Sequence, residues 1–189
     1  LLQFVVEQIT GTSLEGLAKK YVFEPFDMKE TSFLWQDSFE EKYASGHYKK
    51  KKVLPRIKRN QEFAAGSMEP TPEDYAKFIQ AMLQQGKLNQ ATFDEMITPQ
   101  VEINSLQQFG PNRFKEGGDN RKIALSYGLG WGLYETPHGK AVFKEGHLNG
   151  WEHYAAFYPQ NDIGIIIMTY SSNGESIFKE LLEVAIGDT

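Results

Sequence analysis

The stretch Tyr127-Gly128-Leu129-Gly130-Trp131-Gly132-Leu133 decides the fold. Large apolar residues alternate with glycine, so the period is two, that of a strand. One face is large and apolar and the other carries no side chains. Glycine on that second face lets a helix or another backbone come close. Toward the C-terminus the strand pattern continues. Residues 141–146 form a second strand and 152–158 a third. Pro159-Gln160-Asn161-Asp162 is a turn. Residues 163–168 are almost continuously apolar, which predicts a strand buried on both faces. Ser172-Asn173-Gly174-Glu175 caps a last helix, and Ile177, Phe178, Leu181, Leu182 and Ala185 pack it on the sheet.

Toward the N-terminus the period becomes 3.6. Thr71-Pro72-Glu73-Asp74 combines an N-cap threonine, a first-turn proline and acids at the positive end of a helix. Tyr75, Phe78, Ile79, Met82 and Leu83 form its apolar stripe, and Gly86 ends it. A shorter helix covers 91–97, stopped before Pro99, and 104–122 reads as a polar surface loop. At the start, Leu2, Val5, Val6 and Ile9 recur at helical spacing, widened by Leu1 and Phe4, which predicts a well-buried helix. Gly11 ends it with a left-handed cap. Thr12 with Glu15 makes a capping box for a second helix, whose inward face is Leu14, Leu17, Ala18 and Tyr21. Pro25 stops that helix. Residues 26–65 read as irregular or weakly paired, with Ala44-Ser45-Gly46-His47-Tyr48 turning into a strand. Helices, then three or four consecutive antiparallel strands, then one helix make the class α+β. The chain divides into a mostly helical region, 1–126, and strands plus a helix, 127–189, within one structural unit.

The 189 residues carry 20 Lys and Arg against 25 Asp and Glu, with 40% hydrophobic residues. That balance excludes a disordered or fibrous chain. The absence of cysteine excludes a disulfide scaffold and thiolate chemistry. No run of 18 apolar residues is present, so no membrane-spanning helix is expected. Lys49 to Lys52, Arg56, Lys58 and Arg59 put seven bases in eleven residues. A solvated hairpin is the preferred reading of that run, and a patch for anionic lipid or polymer is the alternative. Nucleic acid is not an expected partner, because the run lacks interleaved aromatics and the remainder of the chain is acidic.

The four histidines, His47, His138, His147 and His153, are not joined by a His-Glu-x-x-His pattern, a cysteine cluster or a carboxylate triad, so no metal site is expected. Nor is there a phosphate-binding glycine loop or a Gly-x-Ser-x-Gly elbow, and no cofactor is called for.

Five segments together resemble the serine β-lactamase and DD-peptidase superfamily, in its class C-like, penicillin-binding-protein-like branch. They are Val6-Glu7-Gln8-Ile9-Thr10-Gly11-Thr12-Ser13-Leu14, Glu24-Pro25-Phe26-Asp27-Met28-Lys29-Glu30-Thr31-Ser32-Phe33, Ala64-Ala65-Gly66-Ser67-Met68 with Asp74-Tyr75-Ala76, Tyr127-Gly128-Leu129-Gly130-Trp131, and Gly146-His147 with Tyr158-Pro159. No one of them is specific. Five in the family's order, covering nearly the whole chain, carry the resemblance.

The resemblance implies a β-lactamase/transpeptidase-like fold and a serine nucleophile acylated by an amide or ester. In that family Ser-x-x-Lys supplies nucleophile and base, Tyr-x-Asn a second base, and Lys-Thr-Gly or His-x-Gly lines the site from a strand. His147-Leu148-Asn149 matches His-x-Gly with Asn in the glycine's place, and the resemblance sets an oxyanion-holding N–H near Gly150. The implied site is His147, Asn149 and Gly150. Lys144-Glu145-Gly146 is a rival register, which an odd shift would turn to the other face. His147 is also readable as a rim histidine at a strand end. Ser176-Ile177-Phe178-Lys179 matches Ser-x-x-Lys but falls after the third motif on the closing helix, so it reads as a chance match. Tyr43-Ala44-Ser45 and Tyr170-Ser171-Ser172 are poor stand-ins for Tyr-x-Asn.

The expectation is therefore the C-terminal portion of a longer serine hydrolase, with its first two motifs before Leu1 and no turnover by this chain alone. The alternative is a non-catalytic binding module. A small-molecule or peptide substrate, the missing N-terminal segment and a swapped homodimer are the expected partners. The resemblance favours an extracytoplasmic location.

Overall fold

A computed structural model of the chain describes residues 1–48, 52–106 and 111–187. Helix α1, Leu2–Thr10, ends at Gly11 with φ 63°, the left-handed cap expected there. It contains no buried residue, and Leu2 and Ile9 are three-quarters or more exposed, so the expected burial does not occur. Its stripe has helical spacing, but the helix is tied to its neighbours by polar contacts: Gln3 donates to Glu62 O and accepts from the Ala64 N–H, and Glu7 accepts from the Leu14 N–H. Helix α2, Leu14–Ala18, is capped by Ser13, whose Oγ accepts from the Gly16 N–H at 3.2 Å, rather than by Thr12. Glu15 does not close a capping box. It is buried and instead accepts from Ser32 Oγ at 2.8 Å and the Phe33 N–H at 2.7 Å. A π-helical turn, Lys19–Phe23, follows directly. The wider turn rotates the chain, so Tyr21 is exposed and Phe23 takes the inward place, packed with Met28 and Phe33.

Strands β1, His47–Tyr48, and β2, Lys52–Val53, pair antiparallel. Most of the Lys49–Lys52 cluster, residues 49–51, lies outside the described residues. Helix α3, Pro72–Leu83, starts as its sequence requires: Thr71 Oγ1 accepts from the Asp74 N–H at 3.1 Å. Asp74 does more than complement the helix end. It is buried, and its carboxylate accepts from the Glu30 N–H at 2.6 Å and Thr31 Oγ1 at 3.0 Å. Helix α4 spans Gln90–Met96. Strand β3, Val101–Glu102, precedes the expected loop 104–122, which helix α5, Asp119–Lys122, and a bridge between Ser105 and Glu116 interrupt.

Strands β4, Ser126–Tyr127, β5, Gly132–Thr136, β6, Gly139–Leu148, β7, Trp151–Tyr158, and β8, Ile163–Thr169, complete one antiparallel sheet in the order β3-β4-β5-β6-β7-β8. The expected boundary between 126 and 127 falls inside β4. The glycine-rich stretch is not one strand. It is the hairpin joining β4 to β5, closed by Gly128 N–H donating to Trp131 O at 2.8 Å, with Gly130 at φ 87° and Leu129 exposed. The expected close approaches hold. A Cβ on Gly128 would collide with the Met96 carbonyl oxygen, and one on Gly132 with the Phe143 ring.

Two cores sandwich the sheet. Ile79, Met82 and Phe93 pack on the Trp131, Leu133 and Phe157 face. Ala141, Phe143, Ala156 and Tyr158 line the other, against helix α6, Phe178–Ile186. Phe178 is buried and Leu182 and Ile186 are partly buried, while Ile177, Leu181 and Ala185 are exposed, so α6 docks by a narrower i, i+4, i+8 stripe than expected. Nor is β8 buried on both faces. It lies at the sheet edge, with Ile163 41% exposed, and an open groove of about 550 Å³ is lined by Ile79, Leu83, Gly164, Ile166 and Met168, beside the close approach of Ile79 to Gly164.

Candidate functional site

The sequence-predicted residues meet at one end of the sheet. Leu148 pairs with Trp151, so Asn149 and Gly150 are the two central residues of the β6–β7 turn. Gly150 has φ 85°, the sign a type II turn requires at its third position. A Cβ there would lie 2.6 Å from Leu54 Cδ1 and 3.0 Å from both the Gly46 carbonyl carbon and the His47 nitrogen. Gly150 is therefore buried against the base of the β1–β2 hairpin, while Asn149 is exposed. The His47 N–H donates to Tyr170 O at 2.9 Å and to Gly150 O at 3.3 Å, and the Ser172 N–H donates to His47 O at 3.0 Å. Segment 44–48 thereby clamps the turn to the chain leaving β8. Trp151 adds an indole N–H to Ala44 O at 3.4 Å, and its ring meets Tyr43 edge-on at 6.3 Å.

His147 stands on the α6 side of β6. Its cross-strand partner is Glu152, followed by Thr169 on β8. Its Nε2 lies 3.6 Å from Glu175 Oε2, and its side chain is 42% exposed. Lys144, the rival position, pairs with Ala155 on the opposite face, as an odd shift requires, and sits over the Tyr127 ring at 5.5 Å. Burial and the charge of Glu145 push the Tyr127 phenol up. On that same face His153 pairs with Gly146, and burial pushes its imidazole pKa below the ordinary range.

Ser176 and Lys179 do not form a nucleophile and base pair in a cleft. Both are exposed, Ser176 on the turn into α6 and Lys179 in the first turn of α6, and Ser176 Oγ donates to Asn173 O at 2.6 Å. The two Tyr-x-Ser segments are brought to the turn, but as clamp and aromatic packing. Among the described residues no group of three or more His, Cys, Asp or Glu is placed to hold a metal ion, and no helix is long and apolar enough to cross a membrane. Sequence reasoning missed Glu152 and Glu175 beside His147. The Asn149-Gly150 dipeptide was the available signal for Glu152, since an Asn-Gly turn sets the register that pairs it with His147. Glu175 carried no signal.

A family model described as Beta-lactamase matches residues 1–185. The chain belongs to the beta-lactamase family. This is a family of serine hydrolases of β-lactamase and DD-peptidase type. Among solved structures the chain is similar to an octameric penicillin-binding protein homologue from Pyrococcus abyssi, with TM-score 0.76 and 21% identity over 98% of this chain and 40% of that one. It is also similar to a beta-lactamase/D-alanine carboxypeptidase from Pseudomonas syringae, with TM-score 0.70 and 16% identity over 100% and 57%. A class C beta-lactamase gives TM-score 0.69 and 17% identity over 98% and 55%. The chain thus spans 40% to 57% of the length of these structures. A search of curated proteins returned no match.

Proposed function

We propose that this chain forms one wall of a serine hydrolase that cleaves an amide or ester through an acyl-enzyme, with the nucleophile supplied from outside these 189 residues. The observation that carries the reading is the clamped β6–β7 turn. It presents His147, Asn149 and Gly150 at the end of the sheet on a backbone held at Gly150 O by the His47 N–H. Acyl transfer needs backbone N–H donors fixed before the oxyanion forms. A turn locked to a second hairpin meets that need. In this reading Gly150 N–H helps hold the oxyanion, Asn149 lines the substrate, and His147 hydrogen-bonds substrate or the groups that relay its proton. The partial coverage of the solved structures and the exposed setting of Ser176 support an external nucleophile. The family likeness favours a periplasmic or secreted setting.

Two measurements test this. The 189-residue chain is expected to leave nitrocefin and p-nitrophenyl esters unhydrolysed, and turnover by it would overturn the external nucleophile. A fluorescent penicillin or phosphonate probe is expected to label one serine of the full-length protein, with H147A slowing labelling about 100-fold or more. Failure of every serine to label would favour a non-catalytic binding module, the reading that Asn149 in a family glycine's position would suit.

A further inference from the structure

A histidine side chain works in proton transfer only in the right tautomer and orientation. Which ring nitrogen carries the proton is set by what the other one faces. Around His147 the described structure places two carboxylates, and each is held by the fold. Glu152 is the direct cross-strand neighbour, at a separation where side chains interact. Its carboxylate accepts from the Glu175 backbone N–H at 2.6 Å. Its carbonyl accepts from Thr169 Oγ1 at 2.8 Å, which ties the ends of β7 and β8 together. Gly174 is buried, and a Cβ there would overlap the Thr169 side chain. The turn 174–177 is thereby pressed onto the strand ends, and that contact sets where Glu175 starts. From that place its carboxylate comes within 3.6 Å of His147 Nε2.

As an exposed ion pair this contact contributes little to stability. It also lies just beyond hydrogen-bond length, as unliganded catalytic contacts commonly do before they tighten on a substrate. Its consequence is directional. A carboxylate beside Nε2 favours the proton on that atom and leaves Nδ1 as the acceptor.

We infer that Glu175 is a positioning residue for His147, held in place by Glu152 and Gly174, so that the neutral imidazole keeps its proton on Nε2 and turns Nδ1 toward the reacting groups. This rests on the reading of His147 as a site residue. Glu145 lies on the same face one pair further along β6, opposite Tyr154, and provides a control for general negative charge.

The test is a long-range proton–nitrogen correlation spectrum of the 15N-labelled chain above pH 8, with the His147 signals assigned from H147Q. In E175A the share of the Nδ1–H form is expected to at least double. E175Q, which keeps a carbonyl acceptor, is expected to retain the wild-type pattern, and E145A is expected to leave it unchanged. E175A preserves the backbone N–H that bonds Glu152, so the turn keeps its anchor. A wild-type tautomer pattern in E175A, or an equal change in E145A, would overturn the positioning role. Serine labelling unaffected by H147A would instead reject His147 as a site residue while leaving the tautomer result standing.

Discussion

Changing Gly150 to alanine separates two reasons a chain can need glycine. The first is backbone conformation. At φ 85° an alanine pays about 1–2 kcal/mol for the left-handed region, offset by about 0.4–1 kcal/mol from the stiffer unfolded chain. The second is space. The added Cβ would meet the flexible end of Leu54 at 2.6 Å, which can move, and the backbone of Gly46 and His47 at 3.0 Å, which is held by the clamp. Overpacking of that kind costs about 1–3 kcal/mol. Gly130 and Gly146 supply the controls. Gly130 has φ 87° but nothing within 4 Å of a Cβ, while Gly146 has neither a positive φ nor a neighbour. G150A is therefore expected to lose about 2–4 kcal/mol and G130A about 1 kcal/mol or less, while G146A is expected to gain about 0.4–1 kcal/mol. Urea unfolding of the three variants measures this, with unchanged slopes licensing the comparison of midpoints. G150A no less stable than G130A would refute the claim that the turn is pressed on the hairpin, and with it the argument for a fixed oxyanion donor.

Other outcomes follow from single buried groups. E15A leaves Ser32 Oγ and the Phe33 N–H without their acceptor and is expected to cost about 2–4 kcal/mol, measured by the same unfolding, with E15Q closer to wild type. His153 has a folded pKa below its unfolded value of about 6.5, so the unfolded state binds more protons. Its contribution to stability is therefore expected to be present above about pH 6.5 and lost as pH falls below it toward the folded value. H153Q should flatten that part of the stability–pH curve, and an unchanged slope would show that burial of His153 is not its source.

Legibility varied from element to element. Thr71-Pro72-Glu73-Asp74 and Gly11 were readable because caps and left-handed stops are local chemistry, settled within one turn of chain. The five family-like segments were readable because their order survives weak identity in each piece. The glycine-rich stretch misled on its own geometry. Alternation is shared by a strand and by a hairpin that pairs over only two residues of each arm, and Gly130 at positive φ chooses the hairpin. The inward face of α2 was misjudged at Tyr21 because a π-helical turn breaks the period on which the reading depended.

At the site, the residue types of His147, Asn149 and Gly150 and their place after an apolar strand were already in the sequence. So was the mixed α and β class, because hydrophobic period is a property of neighbours along the chain. Burial was not. The stripes of α1 and β8 have the spacing of core elements, yet their exposure depends on what stands opposite them. The surroundings of His147 were not legible either. Glu175 reaches it from 28 residues away, through a buried glycine, a threonine and a second glutamate. That meeting is produced by the register of three strands and the turn that follows them, and register is fixed by packing across the whole sheet.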